Sequence, residues 1–146
     1  MSKNAKVDDV MTPNVMTMTP HLTTSHVRNL MNDKKVGCFP VVDTEGAPVG
    51  IVTSSDLLGD HADGQPISQY MAEKVYTVPR YEDVSIAARI MRNHHVHHVV
   101  VVEEHKVVGI VSAFDLLKLV EGHRFVMKNA PTPSKRKGGK RKKAER

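Results

Sequence analysis

Tryptophan is absent from the 146 residues, and with three Tyr and three Phe the aromatic share is only 4%. A core has to be assembled from Val, Ile, Leu and Met instead, and an aromatic platform for stacking single-stranded nucleic acid is disfavoured. Cysteine occurs once, as Cys38, which excludes an internal disulfide and fits a reducing compartment. With no base placed to activate it, Cys38 reads as an inert core residue. No apolar run approaches the roughly 20 residues of a membrane span. The opening MSKNAKVDDVM carries no apolar leader segment, so a cytoplasmic location is expected. Also missing are a phosphate-binding glycine loop, a carboxylate pair and a nucleophile with an evident base, which together argue against an enzyme and against a catalytic cofactor.

Positive charge is unevenly spread. The last sixteen residues, PTPSKRKGGKRKKAER, hold eight Lys or Arg and one Glu, so they carry +7 of a net +5 and leave the remainder at −2. Such a composition has no apolar periodicity from which to build a core, and residues 131–146 are expected to form a disordered basic tail. A tail of this kind binds nucleic acid non-specifically by counterion release.

Internal repetition dominates the rest. Met11, Val15 and Thr17 recur sixty residues later as Met71, Val75 and Thr77, Leu30-Met31 as Ile90-Met91, Val36 as Val96, and the VVD ending at Asp43 as the VVE ending at Glu103. One residue is then lost, so that GIVTSSDLL from Gly50 answers GIVSAFDLL from Gly109. Each copy reads as a short strand (15–19 and 75–78) closed by Pro20 or Pro79, a helix (22–33 and 84–93), a hairpin (38–42 with 49–52, and 99–102 with 107–111), and a final helix from Thr53 or Ser112. The order is β-α-β-β-α, twice, over 7–62 and 66–122. Neither copy is large enough to bury much alone, so the two should pack together as one pseudo-two-fold α/β (α+β) unit. The run VHHVVVV from Val96 should be covered on both faces, and the recurring methionines (Met11, Met16, Met18, Met31, Met71, Met91) read as core filler.

In the repeated turn, Asp56 follows Thr53 by three positions and Asp115 follows Ser112 by three. This is the spacing of a capping box, in which hydroxyl and carboxylate satisfy backbone N–H groups at a helix start. The same geometry suits a ligand, because a helix start favours anions and an aspartate there can accept from a pair of sugar hydroxyls.

With DVMTPNVMTM in front, FPVVD in the middle, and GIVTSSD and GIVSAFD behind, the chain resembles a tandem pair of cystathionine β-synthase (CBS) domains, the Bateman module, from about Val7 to Val120. The resemblance implies two quasi-symmetric clefts for adenosine compounds such as AMP, ATP or S-adenosylmethionine, with the Asp of one repeat on the ribose and strands of the other repeat around it. On that pairing, Thr53, Ser55 and Asp56 share a cleft with Val75, Thr77, His97, His98 and Val99. Ser112, Phe114 and Asp115 share the other with Val15, Thr17, Gly37, Cys38 and Phe39. The imidazoles then stand opposite Asp56, and a preference for a phosphorylated ligand is expected there. Val100 departs from the pattern where Pro40 keeps it, and Ala72 stands where Thr12 is polar. The resemblance also implies a two-fold homodimer, and the output is expected to pass to a separate protein effector or to the tail. The competing reading is a nucleic-acid-associated protein that works through its tail while the module dimerises.

The cluster His94, His95, His97 and His98 invites a metal reading, but no carboxylate or thiol near it in sequence completes a tetrahedral set. The simpler expectation is a helix end, where imidazolium suits the dipole, leading into a ligand-facing strand.

Overall fold

The computed structural model describes residues 5–59 and 63–121; the basic tail expected over 131–146 lies outside them. The order is α1 (Val7–Val10), β1 (Thr12–Pro13), α2 (Thr24–Lys34), β2 (Cys38–Val42), β3 (Pro48–Thr53), β4 (Thr77–Pro79), α3 (Val84–His94), β5 (His98–Glu103), β6 (Lys106–Ser112) and α4 (Ala113–Leu116). The mixed α/β class agrees with the sequence reading. Helix α2 is opened by Thr23, whose hydroxyl accepts from His26 N–H at 3.2 Å, and α3 by Asp83, which accepts from Ser85 N–H at 2.9 Å. Both end on a left-handed residue, Lys35 (φ 57°) and His95 (φ 56°), sixty positions apart.

Among the described residues two sheets form, β1-β6-β5-β4 and β2-β3. The strand expected at 15–19 shrinks to a single parallel bridge, Met18 to Val41, whereas its counterpart β4 pairs with β5 over Thr77–Pro79. The difference traces to one residue. Val100 N–H donates to Tyr76 O at 2.9 Å, and Pro40, in the matching place, has no N–H to give. The final helices expected from Thr53 and Ser112 begin as short turns among the described residues. After β3 there is only a 3-10 turn, Ser54–Leu57, and the chain then turns through Gly59 at φ 95°, a conformation that suits Gly and ends helical winding. After β6, α4 continues as a 3-10 turn, Leu117–Leu119.

The front segments of the repeats are exchanged. Val7, Val10 and Met11 sit in the core of the second repeat with Val78, Ala87, Met91, Val99, Val101 and Val111. Ile67, Tyr70 and Met71 pack on the first, around Met18, Val27, Met31, Phe39, Val41 and Val52. The exchange is symmetric in hydrogen bonds: Val7 N–H donates to Glu82 O (2.9 Å) and Asp8 N–H to Arg80 O (2.8 Å), and sixty residues on Ile67 N–H donates to Leu22 O (2.8 Å) and Ser68 N–H to Pro20 O (3.0 Å). The stretches 7–62 and 66–122 are therefore units of sequence, while each core is drawn from both. Val7 and Ile67 are fully buried, which is worth about 1.5–3 kcal/mol apiece.

The glycine of the repeated turn has its reason here. A Cβ on Gly109 would lie 2.7 Å from Thr12 O and 2.9 Å from Met11 Sδ; one on Gly50 would lie 2.5 Å from Met71 Sδ and 3.1 Å from Ala72 O. Each exchanged segment crosses the opposite repeat at its glycine.

Candidate functional site

Strands β3 and β6 deliver the two repeated turns. Thr53 N–H donates to Asp56 Oδ2 at 2.9 Å and the Thr53 hydroxyl to the same oxygen at 3.0 Å. Ser112 N–H donates to Asp115 Oδ2 at 2.9 Å, and Asp115 N–H returns a bond to Ser112 Oγ at 3.0 Å. In both repeated turns these cap bonds run to the Oδ2 oxygen, and a carboxylate can accept at both of its oxygens.

Both aspartates line one cavity of about 1030 Å³ that runs between the repeats. From the set expected around Asp56, Thr53, Ser55, His97 and His98 line it, and Val75, Thr77 and Val99 do not. From the set around Asp115, Ser112, Val15, Gly37, Cys38 and Phe39 line it, and Thr17 and Phe114 do not. The absences have local causes. Val99 is fully buried in the second core, Thr77 is exposed on β4, and Phe114 points to solvent with 78% of its surface exposed. Thr17 precedes the core residue Met18 and so projects to the other side of an extended chain. Met16, expected in the core, is 41% exposed and lines the cavity instead.

Each repeated turn lies beside the middle strand of its own repeat. Cys38 is the register partner of Thr53, and the charge of Asp56 acts on the Cys38 thiol. His98 is the partner of Ser112, Ala113 N–H donates to His97 O at 2.8 Å, and the charge of Asp115 acts on His98. Each aspartate thus faces the middle strand of its own repeat, because the hairpin sets that strand beside the turn. His98 thus lies beside the Asp115 turn, while Asp56, His97 and His98 all line the same cavity. Burial, and then the negative charge of Asp56, push the Cys38 thiol up to about 12, so it stays a neutral wall. Burial, and then neighbouring His97, lower His98 from its ordinary value, with Asp115 pulling the other way.

Several lining residues escaped the sequence reading: Asn14, Lys34, Lys35, Lys74, Tyr76 and His95. The available signal was positional, since Lys35 and His95 occupy the same place in the two repeats. Tyr76 is held by a ring stack on His94 with centroids 4.3 Å apart. Among the described residues no group of three or more His, Cys, Asp or Glu is placed to hold a metal ion, and no helix there is long and apolar enough to cross a membrane.

The family model for the CBS domain matches residues 7–61 and again 67–122. The chain belongs to the CBS domain family. It is 32% identical over 136 residues to protein MJ1404 of Methanocaldococcus jannaschii, a match covering 81% of this chain and 32% of that protein. It is 30% identical over 117 residues to the CBS domain-containing protein YhcV of Bacillus subtilis, covering 77% and 83%. The chain therefore spans about a third of MJ1404 and most of YhcV. In structure it is similar to the CBS domain pair of protein MJ0100, solved in complex with 5-methylthioadenosine and S-adenosyl-L-methionine, with a TM-score of 0.74, 27% identity and coverage of 82% and 98%. It is also similar to a conserved protein from Pyrococcus horikoshii, with a TM-score of 0.72, 25% identity and coverage of 88% and 100%. As a CBS pair, the chain places its two repeated turns on the wall of one shared cavity.

Proposed function

We propose that this CBS pair is a non-catalytic regulatory module that binds an adenosyl ligand, of the AMP, ATP or S-adenosylmethionine class, in the cavity between its repeats and passes its occupancy to a protein effector. The observation that carries the reading is the convergence of both capped aspartates on one cavity large enough for such a molecule. Each carboxylate is oriented by its own backbone cap and is a suitable acceptor for ribose hydroxyls. The related pair from MJ0100 supports it, since that protein was solved with two adenosyl compounds. A two-fold homodimer and a cytoplasmic location belong to the same proposal. Ligand control requires that the effector distinguish the occupied from the empty state.

Calorimetric titration of AMP, ATP and S-adenosylmethionine tests the reading directly. At a concentration 100 times its Kd, a bound ligand stabilises the fold by about 2.7 kcal/mol, an upward shift of several degrees in Tm. A chain lacking 131–146 should bind equally well. No heat and no shift with any of the three at millimolar concentration would overturn the proposal.

A further inference from the structure

The two ends of the cavity carry the same architecture with different cations. At the repeat 1 end, Lys34 and Lys35 close helix α2, and Gly37 and Cys38 lead into β2 beside Asp56. At the repeat 2 end the corresponding residues are His94, His95, His97 and His98, beside Asp115. The four positions filled by Lys34, Lys35, Gly37 and Cys38 at the first end are all imidazoles at the second. Lys35 and His95 both occupy left-handed backbone (φ 57° and 56°), a conformation for which Gly or Asn is the ordinary choice. Both line the cavity. Strain of this kind at a ligand-facing position is where a side chain is held for what it binds.

We infer that the cavity has two phosphate-accepting ends of different kind: a lysine-built end in repeat 1 that accepts the phosphate of a nucleotide throughout the physiological pH range, and a histidine-built end in repeat 2 that accepts it together with a proton. The inference rests on the adenosyl reading for the nature of the ligand and adds to it the ligand's charge and the pH response. The charged groups around the imidazoles are countable. His95, His97 and His98 all line the cavity on the approach to β5, and the charge of His97 acts on His98. Asp115 comes from α4, with Lys118 Nζ 3.7 Å from its Oδ1. Tyr76 comes from the segment before β4, with Lys74 6.0 Å from its ring and His94 stacked on it. Lys34, Lys35 and Asp56 lie along the same cavity wall. Burial, and then neighbouring His97, disfavour the charged form of His98, with Asp115 pulling the other way. A phosphate placed among the imidazoles favours the protonated form and its extra donors. Binding at this end therefore takes up a proton, and affinity rises as pH falls. At the other end the candidate acceptors are lysines in place of imidazoles.

The test is calorimetry with AMP at pH 7.5 and 6.5, in two buffers of different ionisation enthalpy so that protons taken up are counted, on wild type, His97→Gln/His98→Gln and Lys34→Gln/Lys35→Gln proteins. Melting curves confirm that each variant is folded. Wild type should show one site whose affinity rises about tenfold across that unit of pH with uptake of about one proton, and one site that barely changes. The histidine variant should lose the proton uptake and keep the pH-independent site, and the lysine variant should do the reverse. Equal AMP binding by all three proteins with unchanged proton uptake would overturn this inference and leave the adenosyl reading standing. Inorganic phosphate is the second probe. A histidine-dependent, pH-dependent response to it in a protein that ignores both adenosine and AMP would retire the adenosyl reading and keep this one, and no response to AMP or to phosphate would overturn both.

Discussion

At Lys35 stability and binding ask for different residues. Its φ of 57° burdens any side chain with a Cβ, and glycine there relieves the strain. Lys35→Gly is expected to stabilise the empty protein by about 0.5–1 kcal/mol, while AMP affinity at the repeat 1 end falls about tenfold through loss of a charge-assisted contact. Paired melting and titration experiments check it. A variant more stable and equally tight in binding would show that the side chain has no part in the cavity. Cys38 shows the complementary case. It occupies the place of His98, but with its thiol pushed up to about 12 it offers a ligand neither charge nor a strong donor at neutral pH. At this one position the thiol takes the place of the imidazole that His98 supplies in the second repeat.

For the elements, the repeated glycines make unequal demands. The Cβ of Gly109→Ala would meet the backbone oxygen of Thr12 at 2.7 Å, whereas that of Gly50→Ala would meet the thioether of Met71 first, at 2.5 Å. A thioether can swing away and a strand carbonyl cannot. Gly109→Ala should cost about 2–3 kcal/mol and Gly50→Ala about 1 kcal/mol, as read from chemical denaturation. Equal losses would mean that the crossing segments yield alike. The repeat, the hairpins and both main helices were legible because periodicity and turn residues are local properties of the chain. The single bridge at Met18 was legible only in hindsight, since it depends on Pro40 lacking the N–H that Val100 supplies. That the Asp115 turn lies beside His98 follows from the hairpin, whereas the sharing of a ligand cleft between repeats is hidden by the approximate two-fold itself: a cleft assembled from one repeat and a cleft assembled across both leave the same sequence pattern. For the same reason the exchange of front segments was invisible. Val7, Val10 and Met11 match Ile67, Tyr70 and Met71 at a constant offset, so either set would satisfy either core.

Across the whole molecule, the exchange makes each repeat an incomplete folding unit. Arg80 ties it down, its Nη2 2.7 Å and Nε 2.9 Å from Asp8 Oδ1 in the crossing segment and its Nη1 2.9 Å from Glu103 Oε1 at the end of β5. The expected consequence is one cooperative unfolding transition for both repeats. A sharper consequence concerns a fragment spanning residues 63–121. It lacks Val7, Val10 and Met11, and so loses three members of its core. Its own front segment could fill the gap only by reaching the β1 edge of the four-stranded sheet while still running into β4 at the opposite edge. Those edges are about 14 Å apart by strand spacing, and the five residues from Ala72 to Thr77 span about 17 Å at full extension, leaving no length to pass around the sheet. Two fragments can instead lend each other their front segments, Ile67 and Met71 taking the places of Val7 and Met11. The fragment is therefore expected to be unfolded when dilute and a symmetric dimer when concentrated, with helix content and mass rising together in circular dichroism and sedimentation equilibrium. A folded monomer of 63–121, stable at micromolar concentration, would show that each core closes without the other repeat's segment.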